Sequence, residues 1–172
     1  WNKNTHLLQV GLQGYLPVNE TRSAANLVFL LDVSGSMNAT DKLPLLKNAF
    51  RLLVNQLSEQ DSVSIVVYAG SSGVVLEPTK GNLKGNILAA LDKLSAGGST
   101  HGSAGIQLAY SMAEQSFIKG GINRVILATD GDFNVGTVNH ESLLDLIESK
   151  KAKGISLTTL GFGQGNYNDH LM

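Results

Sequence analysis

A chain of 172 residues, 42% hydrophobic and 16% charged, suits one domain with a sizeable core and the composition of an ordinary soluble globular protein. A formal net charge of −1 without a Lys/Arg cluster excludes a nucleic-acid footprint, and no apolar run approaches the roughly 18 residues of a membrane span. The absence of cysteine removes disulfides and thiolate metal sites, though it does not define a compartment.

The chain opens at Trp1 without a signal peptide and reads as an excised fragment, any targeting segment lying outside it. Residues 1–25 form an N-terminal extension. In it Leu8, Val10 and Leu12 alternate with Gln9, Gly11 and Gln13, the pattern of one half-buried edge strand. Pro17, Asn19 and Ser23 then mark a loop. From Asn26 the pattern changes. Leu27, Val28, Phe29, Leu30 and Leu31 make a short unbroken apolar run, as expected of a strand buried on both faces of a parallel sheet. The run stops at Asp32, and Ser34 and Ser36 follow at alternate positions, with Gly35 expected to allow a tight turn.

Thr40 or Asp41 can cap the next helix, whose first turn tolerates Pro44, and Leu46, Ala49, Phe50, Leu53 and Leu57 should face the sheet. Val63 to Tyr68 is a second buried strand, and Val74 to Leu76 a short antiparallel edge strand ending before Pro78. Asn82 can cap a helix with the stripe Leu83, Ile87, Ala90, Leu91 and Leu94. After Gly97-Gly98-Ser99-Thr100 comes a helix to about Phe117, in which Gly105, Ala109 and Ala113 permit close packing. Val125 to Ala128 is a strand leading to Asp130. Asn139 caps a helix carrying Leu143, Leu144 and Ile147, with Lys150, Lys151 and Lys153 in its last turn and Gly154 at its end. Ile155 to Leu160 is the last strand. Such alternation predicts a doubly wound, mostly parallel α/β sheet with helices on both faces.

In such sheets ligands bind at the carboxyl ends of the strands. Asp32, Ser34 and Ser36 therefore occupy a ligand position, and their hard oxygens suit Mg²⁺, Mn²⁺ or Ca²⁺ better than Zn²⁺ or Cu²⁺. Thr100 and Asp130 add two further oxygen groups at loop or strand ends. An Asp-Ser-Ser turn that merely caps a helix explains one of these segments but not three that converge.

Together Asp32-x-Ser34-x-Ser36, Thr100 and Asp130 resemble the metal-ion-dependent adhesion site of von Willebrand factor type A domains. The resemblance runs from about Asn26 to Gly163, and the domain is taken as 26–172. It implies that the hydroxyls of Ser34, Ser36 and Thr100 coordinate a metal directly, with Asp32 and Asp130 holding it directly or through water. Neutral hydroxyls leave part of the cation's charge uncompensated, so an open position should attract an outside carboxylate. The implied partner is a protein presenting Asp or Glu. His101, Asp132, Phe133 and Asn134 flank these positions and form a candidate partner-binding rim.

The wording LVFLLDVSGSM, KLPLLKNAF, GGINRVILATDGDFNVG and TLGFGQGN resembles bacterial cell-envelope lipoproteins of this family, which implies an extracytoplasmic location. Asn38-Ala39-Thr40 matches a glycosylation acceptor, but a glycan there would crowd the metal loop, in keeping with a bacterial source. Members of the family end in a further strand and helix. The chain is thus expected to be truncated at Met172, to leave Ile155 to Leu160 as an open edge, and to self-associate.

Two other classes compete. Asp32 could be the nucleophile of a Mg²⁺-dependent phosphatase, since carboxylates form covalent phospho-intermediates. Such enzymes need an Asp two residues on, where this chain has Ser34, and a lysine or arginine beside the loops, where the sequence suggests none. The domain could also be a scaffold subunit of an ATPase complex. No Ser-His-Asp or Cys-His arrangement is evident, and the reading is of a protein without catalytic activity.

Overall fold

The structure, a computed structural model, describes residues 22–69, 71–97, 102–131 and 140–163. Among the described residues five strands form one sheet in the order β3-β2-β1-β4-β5. They are β1 (Ala25–Asp32), β2 (Ser62–Ala69), β3 (Ser71–Lys80), β4 (Ile122–Thr129) and β5 (Ile155–Gly161). β1 pairs in parallel with both β2 and β4, and β4 pairs in parallel with β5. Only β3 is antiparallel among the described strands. The proposed N-terminal edge strand lies outside the described residues.

Alternation along each strand divides the core into two layers. Phe29 and Leu31 point to the face covered by α1 (Leu43–Gln56) and α2 (Lys84–Asp92), together with Val63, Ile65, Leu46, Phe50 and Ile87. Val28 and Leu30 point to the opposite face, covered by α3 (Gly102–Gln115) and α4 (His140–Ala152). Both faces of β1 are therefore buried, which is why its sequence lacks polar alternation. Leu30 is fully buried, and removing such a side chain from water is worth about 1.5–3 kcal/mol. Phe29 meets Phe50 edge to face with ring centroids 4.0 Å apart, seating α1 on the central strand. Gly105 brings α3 close to the sheet: a Cβ there would lie 3.1 Å from Tyr68 Cβ and 3.2 Å from Leu30 Cδ1.

Several local details depart from the sequence reading. Neither Thr40 nor Asp41 caps α1. A turn from Ala39 to Lys42 intervenes, so Lys42 takes the cap position without a side-chain hydrogen bond. Asn82 lies inside a turn closed by Leu83 N–H to the Lys80 carbonyl, and α2 starts at Lys84 with no side-chain cap. β3 is ten residues long and passes through Pro78. The register places Glu77 and Pro78 opposite Ser64, between the pairs Val63–Thr79 and Ile65–Leu76. This is a bulge on an edge strand, where proline's missing N–H costs no ladder bond. Ala49, Leu83 and Leu144 are exposed, because the buried stripe of each helix is narrower than the apolar run in its sequence. The cap assigned to Asn139 lies outside the described residues. Gly154 does end α4, at a φ of 87° that favours glycine.

Candidate metal centre

β1 and β4 are neighbours, and the chain leaves β1 toward β2 on one side and reaches β4 on the other. Their carboxyl ends thus form the crevice at the point where strand order reverses. Asp32 ends β1, and Asp130 follows the last residue of β4; both are fully buried.

The loop after Asp32 is built around its carboxylate. Ser34 N–H donates to Asp32 Oδ1 at 2.8 Å. A 3-10 turn, Gly35–Asn38, follows, and Met37 within it is fully buried in the α1/α2 core layer. This apolar plug holds the loop down and leaves Ser34 and Ser36 with their hydroxyl oxygens 3.0 Å apart. Gly35 does not serve as expected: it is absent from the positive-φ glycines of the described residues, and a Cβ there would touch nothing within 4 Å.

The other oxygen of Asp32 is also engaged. Tyr68 donates its hydroxyl to Oδ2 at 3.3 Å and Thr129 donates to the same atom at 3.2 Å. Gly131 N–H donates in turn to the Thr129 hydroxyl at 3.3 Å. Burial pushes the Asp32 pKa up, and the negative charge of Asp130 pushes the same way against the lowering hydrogen bonds from Ser34 and Thr129. Tyr68 is pushed far up by burial and then by the charge of Asp32, so its phenol stays a donor.

Asp130 receives the ammonium of Lys42, with Nζ 2.8 Å from Oδ2. The sequence reading expected no lysine beside the loops, and this is a correction. Lys42 is ten residues from Asp32 in the chain but is brought over Asp130 by the turn preceding α1. It is the sole basic residue between Asp32 and Lys47, the one sequence signal that pointed to it. Tyr68 and Thr129 were missed as well, since a tyrosine or threonine at a strand end looks like any β-former.

Thr100, His101, Asp132, Phe133 and Asn134 lie outside the described residues. The segment leading to Thr100 is anchored nearby: Gly97 N–H donates to the Val33 carbonyl at 2.7 Å, directly after β1. Beside the loop, Asn38, Leu43, Pro44, Lys47 and Arg51 line a cleft of about 350 Å³, which no local pattern of residues announces. Among the described residues no group of three or more His, Cys, Asp or Glu gathers. The donor set here is two carboxylates and two hydroxyls. It fits a hard divalent cation, which would offset the repulsion between two buried like charges.

The comparisons with known proteins agree with this architecture. The sequence profile described as "von Willebrand factor type A domain" matches residues 26–172. The chain is 46% identical over all 172 residues to "Uncharacterized protein YfbK" of Escherichia coli K12, of which it spans 30%. Among solved structures it resembles a von Willebrand factor type A protein from Catenulispora acidiphila at a TM-score of 0.71 and 20% identity, over 87% of this chain and 35% of that one. It also resembles the manganese-loaded TRAP protein of Plasmodium vivax at a TM-score of 0.65 and 21% identity, over 87% of this chain and 61% of that one. With a mostly parallel five-stranded sheet, helices on both faces and a profile match over most of its length, the chain belongs to the von Willebrand factor type A domain family.

Proposed function

We propose that the domain binds one divalent cation, Mg²⁺ or in its place Mn²⁺ or Ca²⁺, through Asp32, Ser34, Ser36, Thr100 and Asp130. It then captures a partner protein by taking an Asp or Glu carboxylate into the remaining coordination position. The observation that carries this reading is the meeting of two fully buried carboxylates, Asp32 and Asp130, at the ends of adjacent strands beside the Ser34–Ser36 hydroxyl pair. A bound cation supplies charge that the hydroxyls cannot neutralise, and that surplus recruits the carboxylate. Family membership supports an interaction role, since type A domains typically mediate metal-dependent protein interactions. The manganese named for the Plasmodium vivax relative supports a divalent ion. The cleft beside the loop offers a partner a second area of contact.

The rim of His101, Asp132, Phe133 and Asn134 belongs to this proposal, as does an extracytoplasmic, cell-envelope setting for the parent protein. No helix among the described residues is long and apolar enough to cross a membrane. The domain is proposed to have no catalysis of its own. Asp32 accepts three hydrogen bonds, which blunts a nucleophile, and Ser34 stands where a phosphatase needs its acid/base.

Calorimetric titration with Mg²⁺ and with Mn²⁺ tests the metal. Heat is expected from the wild type and none from an Asp32→Ala/Asp130→Ala double variant; equal heats would sink the reading. A panel of phosphatase and esterase substrates should show no turnover, and metal-dependent hydrolysis abolished by Asp32→Asn would revive the enzyme.

A further inference from the structure

Lys42 sits where three elements converge. Its backbone is the cap of α1, its ammonium lies against Asp130 after β4, and its stem passes Gly163 just beyond β5. A Cβ on Gly163 would come within 2.6 Å of Lys42 Cε, and Gly163 adopts a φ of 89°. Glycine there leaves both the backbone geometry and the space that the lysine arm needs. The Lys42 side chain is only 12% exposed and that of Asp130 is fully buried, so this pair is screened far less than a surface ion pair.

We propose that Lys42 is a tethered counter-ion for the metal centre: its ammonium neutralises Asp130 when no metal is bound, and an incoming divalent cation must displace it. This rests on the metal reading above and names the residue that sets the metal affinity. An ammonium 2.8 Å from Asp130 Oδ2 takes up a lone-pair direction of that carboxylate and repels a second cation brought to the same oxygens. A buried carboxylate left with neither cation is strongly disfavoured, so the two occupants exchange. The lysine can give way because its charge is carried on a flexible four-carbon stem. Its departure frees the start of α1 from Asp130 and removes the lysine stem from the turn at Gly163, while the Phe162 N–H to Thr129 carbonyl bond still ties that turn to β4. Metal occupancy is thereby coupled to both elements, and the coupling is reciprocal.

The apparent affinity for the metal is lowered by the fraction of molecules in which Lys42 blocks the site. If the open arrangement is about a tenth of the population, removing the charge tightens binding roughly tenfold. The test is calorimetric titration of Mg²⁺ into the wild type, Lys42→Met, which keeps the apolar stem, and Lys42→Arg, which keeps the charge. Lys42→Met should bind about tenfold tighter than wild type, Lys42→Arg should stay near wild type, and Lys42→Met should melt lower than wild type in EDTA. If Lys42→Met proves unfolded by circular dichroism, Lys42→Gln carries the test, since it too lacks the charge and must also tighten binding. Unchanged or weaker binding by the folded variant, or equal tightening by Lys42→Arg, overturns the proposal while leaving the metal reading intact. Absence of heat from the wild type itself overturns both.

Discussion

Tyr68 and Asp32 are register partners across β2 and β1, and the Tyr68 hydroxyl reaches over to donate to Asp32 Oδ2 at 3.3 Å. In a parallel sheet, residues at matching positions point to the same side, so the central carboxylate has a donor built into the neighbouring strand. Tyr68→Phe removes that donor while keeping the ring in the α3 layer. The expected cost is about 1 kcal/mol of stability, the net worth of one hydrogen bond, with a modest loss of Mg²⁺ affinity as Asp32 becomes less well held. Urea denaturation and calorimetry of the variant check both.

Asp32→Asn separates stability from binding. The amide oxygen can still accept from Ser34 N–H, and the Tyr68 and Thr129 hydroxyls can turn to accept from the amide nitrogen. The variant sheds a buried charge that burial and Asp130 both disfavour. In EDTA it should be as stable as wild type or more so, by up to about 1 kcal/mol. The rise in melting temperature on adding Mg²⁺ should vanish. A variant that is both less stable in EDTA and still raised by Mg²⁺ contradicts this.

Far from the centre, Asp61 ties the start of β1 to the start of β2. Burial by itself would raise its pKa, but Ser58 N–H, the Arg22 guanidinium, Ala25 N–H and the Ser58 hydroxyl outweigh it and hold the carboxyl below the ordinary 3.8. A lowered carboxylate contributes stability that is present above its unfolded pKa and lost as pH falls through its folded one. Asp61→Asn should therefore cost about 2 kcal/mol near pH 7, most of it from hydrogen bonds because the Arg22 side chain is half exposed. The gap between variant and wild type should narrow below pH 3.8. Denaturation curves at several pH values test it, and a gap independent of pH argues that the charge contributes nothing.

Gly105 is a packing position rather than a flexible one. Leucine at this site would drive into Tyr68 and Leu30, both fully buried, and push α3 away from β1 and β2. The expected loss is about 1–3 kcal/mol, the usual cost of overpacking. Because Tyr68 also holds Asp32, Mg²⁺ affinity should fall with it. A melt and a metal titration on Gly105→Leu decide the point, and unchanged melting shows that α3 has room to spare.

Much of the architecture was legible from the residues themselves. The unbroken run Leu27 to Leu31 identified a strand buried on both faces, and the alternation of apolar runs with helical stripes identified the doubly wound sheet. Those signals are local: burial on two faces removes polar alternation, and a helix shows its period within a dozen residues. The ends of elements were less legible, as the failed caps at Thr40, Asp41 and Asn82 show. A single turn closed by a backbone hydrogen bond moves a helix start by two residues without any change in composition.

The same division runs through the site. Asp32, Ser34 and Ser36 stood out in the sequence because one loop carries all three, and Asp130 because it closes a strand. Their surroundings could be decided only by the tertiary structure. Tyr68 lies 36 residues from Asp32 in the chain, Lys42 lies 88 from Asp130, and Thr129 lies 97 from Asp32. The strand order sets β1 between β2 and β4 and so brings Tyr68 and Thr129 to Asp32, while the turn before α1 brings Lys42 to Asp130. A carboxylate's charge state and its competing cation depend on such distances. The chain's order therefore shows which oxygens are offered, while the fold sets what holds them and what stands in the metal's way.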